Sequence, residues 1–141
     1  MLQRMQSLWL LIAGACGILT FKYSFFSGNK LSADQTKTFQ FLTATTNMLI
    51  LLLTGALVSA LLIDIFLYKN RKLQLRIVFA SLLVSLLNVY LYLKETKKFV
   101  GGEGNYDLTC VLTFAIPILI TMAAMGIYKD EKLVKSLDRL R

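Results

Sequence analysis

The chain has 141 residues, 56% of them apolar and 17% charged, where a soluble domain carries roughly 45–50% apolar residues. A mean hydropathy of +0.61 and a single proline exclude a disordered or linker-like chain. The absence of histidine removes the commonest general base and metal ligand, and two cysteines, Cys16 and Cys110, are too few for a disulfide framework or a four-thiolate zinc site.

A helix needs about 20 mostly apolar residues to cross the hydrocarbon core of a bilayer, because its backbone groups must bond internally where water is missing. Four stretches meet this test: 8–26, 42–67, 77–93 and 108–128. A soluble four-helix bundle would keep one charged face on each helix. Here Met48–Ile63 holds only Thr54 and Ser59 as polar side chains, and both can bond back to their own backbone. A 141-residue chain has no interior for four helices apolar all round, so the expected fold is all-α, an integral membrane antiparallel four-helix bundle forming one domain.

The first span is interrupted only by Lys22. Ala13-Gly14-Ala15-Cys16 resembles a lipoprotein cleavage box, but the apolar run continues from Gly17 to Phe21, which favours a retained helix. In the segment that follows, Ser32 and Gln35 have capping-box spacing, so the second helix is expected to begin near Ala33 and stand above the membrane before entering it. That span carries Asn47 near its start and Asp64 near its end. The third span is the shortest, and Arg76 and Lys94 are expected to reach outward to headgroups. The glycine-rich segment Val100–Asn105 reads as a flexible turn closed by Asp107 as N-cap of the fourth helix. Pro117 in the fourth span should kink it and free the carbonyl near Thr113. The tail 129–141 keeps helical spacing of Leu133, Leu137 and Leu140, and either lies on the lipid surface, docks to a partner or simply prolongs the helix. Trp9, Tyr23, Phe25, Phe26, Tyr68, Tyr90, Tyr92 and Tyr128 fall near span ends, where amphipathic rings favour the interface.

Charge sets the threading. Arg4, the loop Lys69–Arg76 and the tail together hold ten of the sixteen basic residues, which places both termini in the cytoplasm. Most of the +8 charge then marks topology and contact with anionic lipid rather than nucleic acid.

Helices in lipid associate through small residues and interhelical hydrogen bonds. Ala13 with Gly17, Gly55 with Ser59, Ala56 with Ala60, and Ser81 with Ser85 lie four apart, and Ala123, Ala124 and Gly126 crowd the fourth span. Asn47 and Asn88 are expected at similar depth, where one hydrogen bond between them would clasp the second and third helices. Asp64, the only acidic residue within a span, is expected to reach water or to pair with Arg71, Lys72 or Arg76. Cys16 and Cys110 stand at different depths and read as packing residues. Without histidine or facing carboxylates there is no catalytic constellation and no cofactor or metal pattern; an enzyme is not expected.

The opening Met1-Leu2-Gln3-Arg4-Met5-Gln6-Ser7-Leu8-Trp9-Leu10 resembles the start of domain-of-unknown-function family 4293, bacterial inner-membrane proteins of Bacteroidota that begin Met-(Ile/Leu)-Gln-Arg-(Ile/Met)-Gln. The resemblance covers the whole chain in layout and is specific over these ten residues. It implies a multi-pass protein of the cytoplasmic membrane and transfers no catalytic or binding residue. Gln3, Arg4 and Gln6 read physically as a polar, basic anchor able to touch a partner's loops. The expected role is a non-enzymatic accessory or structural subunit of a larger membrane complex, for example protein export or envelope machinery. The rival is a small oligomeric transporter or channel using Asp64, Asn47, Asn88 and the Pro117 kink.

Overall fold

A computed structural model describes residues 2–31, 36–67 and 70–138, with side chains within Met5–Leu133. Helix α1 runs Leu2–Leu19, strands β1 and β2 follow at Phe26–Leu31 and Lys37–Leu42, and α2 spans Met48–Phe66. Helix α3 covers Arg71–Thr96, strand β3 Phe99–Tyr106, and α4 Cys110–Asp138. The fold is mostly helical, but the all-α expectation fails: the strands form one antiparallel sheet in the order β2-β1-β3. The sheet lies where α1 and α3 finish and α2 and α4 begin, so chain direction alternates between neighbouring helices. Contacts run α1–α2, α2–α3, α3–α4 and α4–α1, closing a ring.

Three helical segments, Met48–Phe66, Arg71–Thr96 and Cys110–Leu133, are long and apolar enough to cross a membrane, and the apolar part of α1, Met5–Leu19, is shorter. This is the construction of a membrane protein. The inward positions follow a strict alternation of three and four: 6, 10, 13 and 17 on α1, with Thr20 just past its end; 50, 54, 57, 61 and 64 on α2; 74, 78, 81, 85, 88 and 92 on α3; and 113, 116, 120, 123, 127 and 130 on α4. That is the seam spacing of helices packed at shallow angles. Polar side chains sit on this inner line, while Leu52, Phe66, Leu83, Val111 and Ile118 face outward. The outward face thus lacks the charged stripe of a soluble bundle, while the inner line mixes its polar residues with a first apolar core of Leu10, Leu57, Leu61, Val78, Ile116 and Ile120.

The sheet explains where the apolar stretches overran the helices. Phe25, Phe26 and Leu42 are apolar because they fill a second core with Ala44, Ile50, Tyr92 and Phe99, not because they continue a span. Hydropathy registers their burial and is blind to their period of two. Helix α1 therefore stops at Leu19 rather than Phe26, and α2 starts at Met48 rather than near Ala33, with strand β2 in the place of its expected first turns. The third helix, expected as the shortest, extends a turn or more beyond 77–93 at its N-terminal side and to Thr96.

The glycine-rich segment is strand β3 rather than a loose turn. A Cβ on Gly104 would lie 2.5 Å from the Phe26 ring, and one on Gly28 would lie 2.7 Å from the Gly104 Cα, so both glycines make room for the β1–β3 contact. Asp107 does not cap α4 with its side chain; its carboxylate accepts from Ser24 and, at 2.9 Å, from Ser27. Helix α4 runs unbroken through Pro117, whose carbonyl accepts the Thr121 hydroxyl at 2.7 Å, and continues to Asp138. The capping pair Ser32 and Gln35, residues Tyr68 and Lys69, and the side chains of Gln3, Arg4, Leu137 and Leu140 lie outside the described residues.

Candidate functional site

The polar side chains of the inner line gather in two clusters. The first lies near the sheet. Asn88 of α3 donates from Nδ2 to Thr54 Oγ1 of α2 at 2.9 Å, with both residues buried. Tyr92, one turn along α3, is 1% exposed, and its hydroxyl lies near Thr20 and Thr54 without a well-formed hydrogen bond to either. The expected clasp between Asn47 and Asn88 is not made. Asn47 is instead the N-cap of α2: its Oδ1 accepts from the Leu49 amide at 3.0 Å and its Nδ2 donates to Glu95 Oε1 at 2.8 Å. The reason is the later start of α2, which leaves four orphan amide donors at Asn47 and lifts it to the sheet end.

The second cluster lies at the other end of the ring. Gln6 of α1 donates from Nε2 to Asp130 Oδ2 of α4 at 2.7 Å, and Arg71 Nη1 of α3 donates to the Asp130 carbonyl at 3.1 Å. Gln74 of α3 donates from Nε2 to the backbone carbonyl of Asp64 at 3.3 Å. Asp64 itself is 0% exposed, and neither carboxyl oxygen has a hydrogen-bond partner. It therefore neither reaches water nor pairs with Arg71, Lys72 or Arg76; its place on the 50-54-57-61-64 line turns it inward.

The small-residue pairs divide. Gly17 is a true seam, since a Cβ there would approach Val58 Cγ2 to 2.6 Å. Ser81 and Ser85 are buried, and the Ser85 hydroxyl returns to the Leu82 carbonyl at 2.7 Å. Gly55 and Ser59 point out of the ring, with nothing within 4 Å of a Cβ at Gly55. Beside them a groove of about 220 Å³ between α2 and α3 is lined by Ala56, Ala60, Ala80, Ser81 and larger apolar neighbours. Of the rings expected at the interface, Tyr23, Tyr90 and Tyr128 are exposed, whereas Phe25, Phe26 and Tyr92 are buried.

Both cysteines are free, and among the described residues no three His, Cys, Asp or Glu side chains gather in a way that could hold a metal ion. Gln74, Thr20 and Asp130 were not singled out from the sequence, and Tyr92 was read there only as an interface ring. Their signal was present as polar residues recurring at three and four among apolar ones.

The family model described as a domain of unknown function, DUF4293, matches residues 2–140. The chain belongs to this family. Comparison with curated proteins and with solved structures returns no match. For this DUF4293 member the site rests on its own geometry: polar residues at both ends of the inner line, an enclosed carboxyl, and an outward patch of small residues on α2.

Proposed function

We propose that this DUF4293 protein is a multi-pass protein of the bacterial inner membrane, with both termini in the cytoplasm, acting as a non-enzymatic accessory subunit of a larger membrane complex. The observation that carries this reading is the outward face of α2. Gly55 and Ser59 are small, exposed and unused by the ring, and the groove of Ala56, Ala60 and Ala80 lies beside them. In lipid such a face lets another helix approach closely, where dispersion contacts rather than hydrophobic drive hold the pair. The sheet then stands on the outer side, and the basic loop and tail meet anionic lipid on the inner side.

The test is affinity purification of the full chain in mild detergent, with mass spectrometry of what accompanies it. A stoichiometric foreign membrane protein that is lost in Gly55→Leu, while the variant keeps its own thermal unfolding, supports the accessory role. Homogeneous material with no companion, unaffected by Gly55→Leu, defeats it. A reporter fused at the C-terminus tests the orientation separately.

A second reading, an oligomeric transporter, is favoured by one observation: Asp64 and Asn88 keep unpartnered oxygens inside the ring. Asn47 has no part in it, being engaged at the cap.

A further inference from the structure

Among the described residues, four buried side-chain atoms lack a hydrogen-bond partner: Asp64 Oδ1 and Oδ2, Asn88 Oδ1 and the Tyr92 hydroxyl. All lie on the inner lines of α2 and α3. The Asp64 carboxyl is the most demanding of them, because an ionised carboxylate is an acceptor only and needs a donor or a counter-charge when enclosed.

Among the described residues, no neighbouring element supplies one. On α3, Gln74 spends its amide on the Asp64 backbone carbonyl, and Arg71 donates to the Asp130 carbonyl. On α4, the Asp130 carboxylate is held by Gln6 of α1, and Lys129 is exposed. Beyond Asp64, α2 carries no titratable side chain. One turn from Asp64 on α2 lies Ala60, which with Ile77 and Ala80 lines a groove where small side chains leave the α2–α3 seam thinly packed.

We infer that Asp64 is a proton-binding site built into the α2–α3 seam. In the closed arrangement the carboxyl is the neutral acid. It loads when a hydronium ion gives its proton to one Oδ, forming the carboxyl O–H bond and leaving a water molecule. Release reverses this step, a water molecule taking the proton as hydronium, and leaves a carboxylate that must be hydrated, which loosens α2 from α3. This inference rests on lipid surrounding the ring, and it deepens the transporter reading by naming the coupling ion as the proton.

The experiment uses the full chain in phospholipid vesicles, first floated on a density gradient. Failure to float defeats the membrane reading itself and is thereby distinguished from failure of the inference. Infrared spectra are then recorded as pH is raised, together with hydrogen exchange of α2 and α3 amides referenced to the α1–α4 seam. The expected result is a carboxylic acid carbonyl band absent from Asp64→Asn. The band should disappear as pH rises, while α2–α3 exchange accelerates about tenfold in wild type and not in Asp64→Asn. Should Asp64→Asn fail to fold, Asp64→Glu serves: its band should shift in frequency and still titrate. A carboxyl ionised at every pH, or a band that persists until the chain unfolds, overturns the inference.

Discussion

Gln6 and Asp130 stand 124 residues apart in sequence and share a 2.7 Å hydrogen bond inside the ring, Gln6 Nε2 donating to Asp130 Oδ2. The bond joins the chain's first helix to the far part of α4 and gives Gln6 a structural role where the sequence suggested only a flanking anchor. Its geometry is tight. A Cβ on Gly126 would stand 2.8 Å from Gln6 Cγ, so Gly126 is the space in which the glutamine lies. Replacing Gln6 by leucine leaves the Asp130 carboxylate buried with its donor gone, which should cost about 1–3 kcal/mol. Thermal unfolding in detergent should fall by several degrees for Gln6→Leu, and Gly126→Ala should lower it in the same direction by displacing the glutamine. Unchanged melting in both would mean that the bond contributes nothing.

Gly17 and Gly55 look alike in sequence, each four residues from another small side chain, yet they should respond oppositely to alanine. At Gly17 the added methyl meets Val58 at 2.6 Å and forces α1 away from α2. At Gly55 the methyl enters open space, and alanine is the better helix former by ~1 kcal/mol in water. Gly17→Ala should therefore destabilise the folded chain, and Gly55→Ala should leave its unfolding midpoint unchanged or raise it. Equal losses at the two sites would show that α2 packs through both faces within one chain.

Helix number was legible because each helix carries an apolar run without a charged face, three of them long enough to cross a membrane. The sheet was not, and the reason is local. Residues 37–42 read Lys-Thr-Phe-Gln-Phe-Leu, where only Phe39-Gln40-Phe41 alternates and both rings stay exposed, so no period of two stands out before the apolar helix. Residues 99–106 hold three glycines that signal a turn when viewed alone, and only the pairing with β1, where Gly28 faces Gly104 and the Phe26 ring fills the space of a Gly104 Cβ, shows them to be a strand. At the site, Asp64 was visible as an isolated charge, but its direction was not. One charged residue near a helix end can turn outward to water or inward, and only the inner line running from Ile50 through Leu61 decides between them.

Across the sheet, Glu103 on β3 accepts from Asn29 on β1 at 3.0 Å and pairs with Lys37 on β2. The bond from Lys37, then that from Asn29, holds the Glu103 carboxyl below the usual carboxylate value. A lowered folded value means that this support for the sheet is complete above the unfolded value and is lost as pH falls through the lower folded one. The pair is exposed, so salt should weaken it as well. Hydrogen exchange at β2 amides should accelerate below the ordinary carboxylate range in wild type, relative to β1, and should be pH-insensitive there in Glu103→Gln. A β2 strand whose protection ignores both acid and this substitution would assign its pairing to backbone bonds alone.

The two asparagines once expected to meet make a final contrast. Asn88 is bonded to Thr54 and Asn47 to Glu95, so coupling should follow those pairs. In a double-mutant cycle in detergent, Asn88→Leu with Thr54→Val should show an interaction of about 0.6–2 kcal/mol, the range for hydrogen bonds between membrane helices. Asn47→Ala should cost ~1 kcal/mol through the lost cap, and combined with Asn88→Leu it should be additive, since the two sites share no partner. Non-additivity between positions 47 and 88 would require the two side chains to share a partner, which the bonds of Asn47 to the Leu49 amide and to Glu95 exclude in this fold.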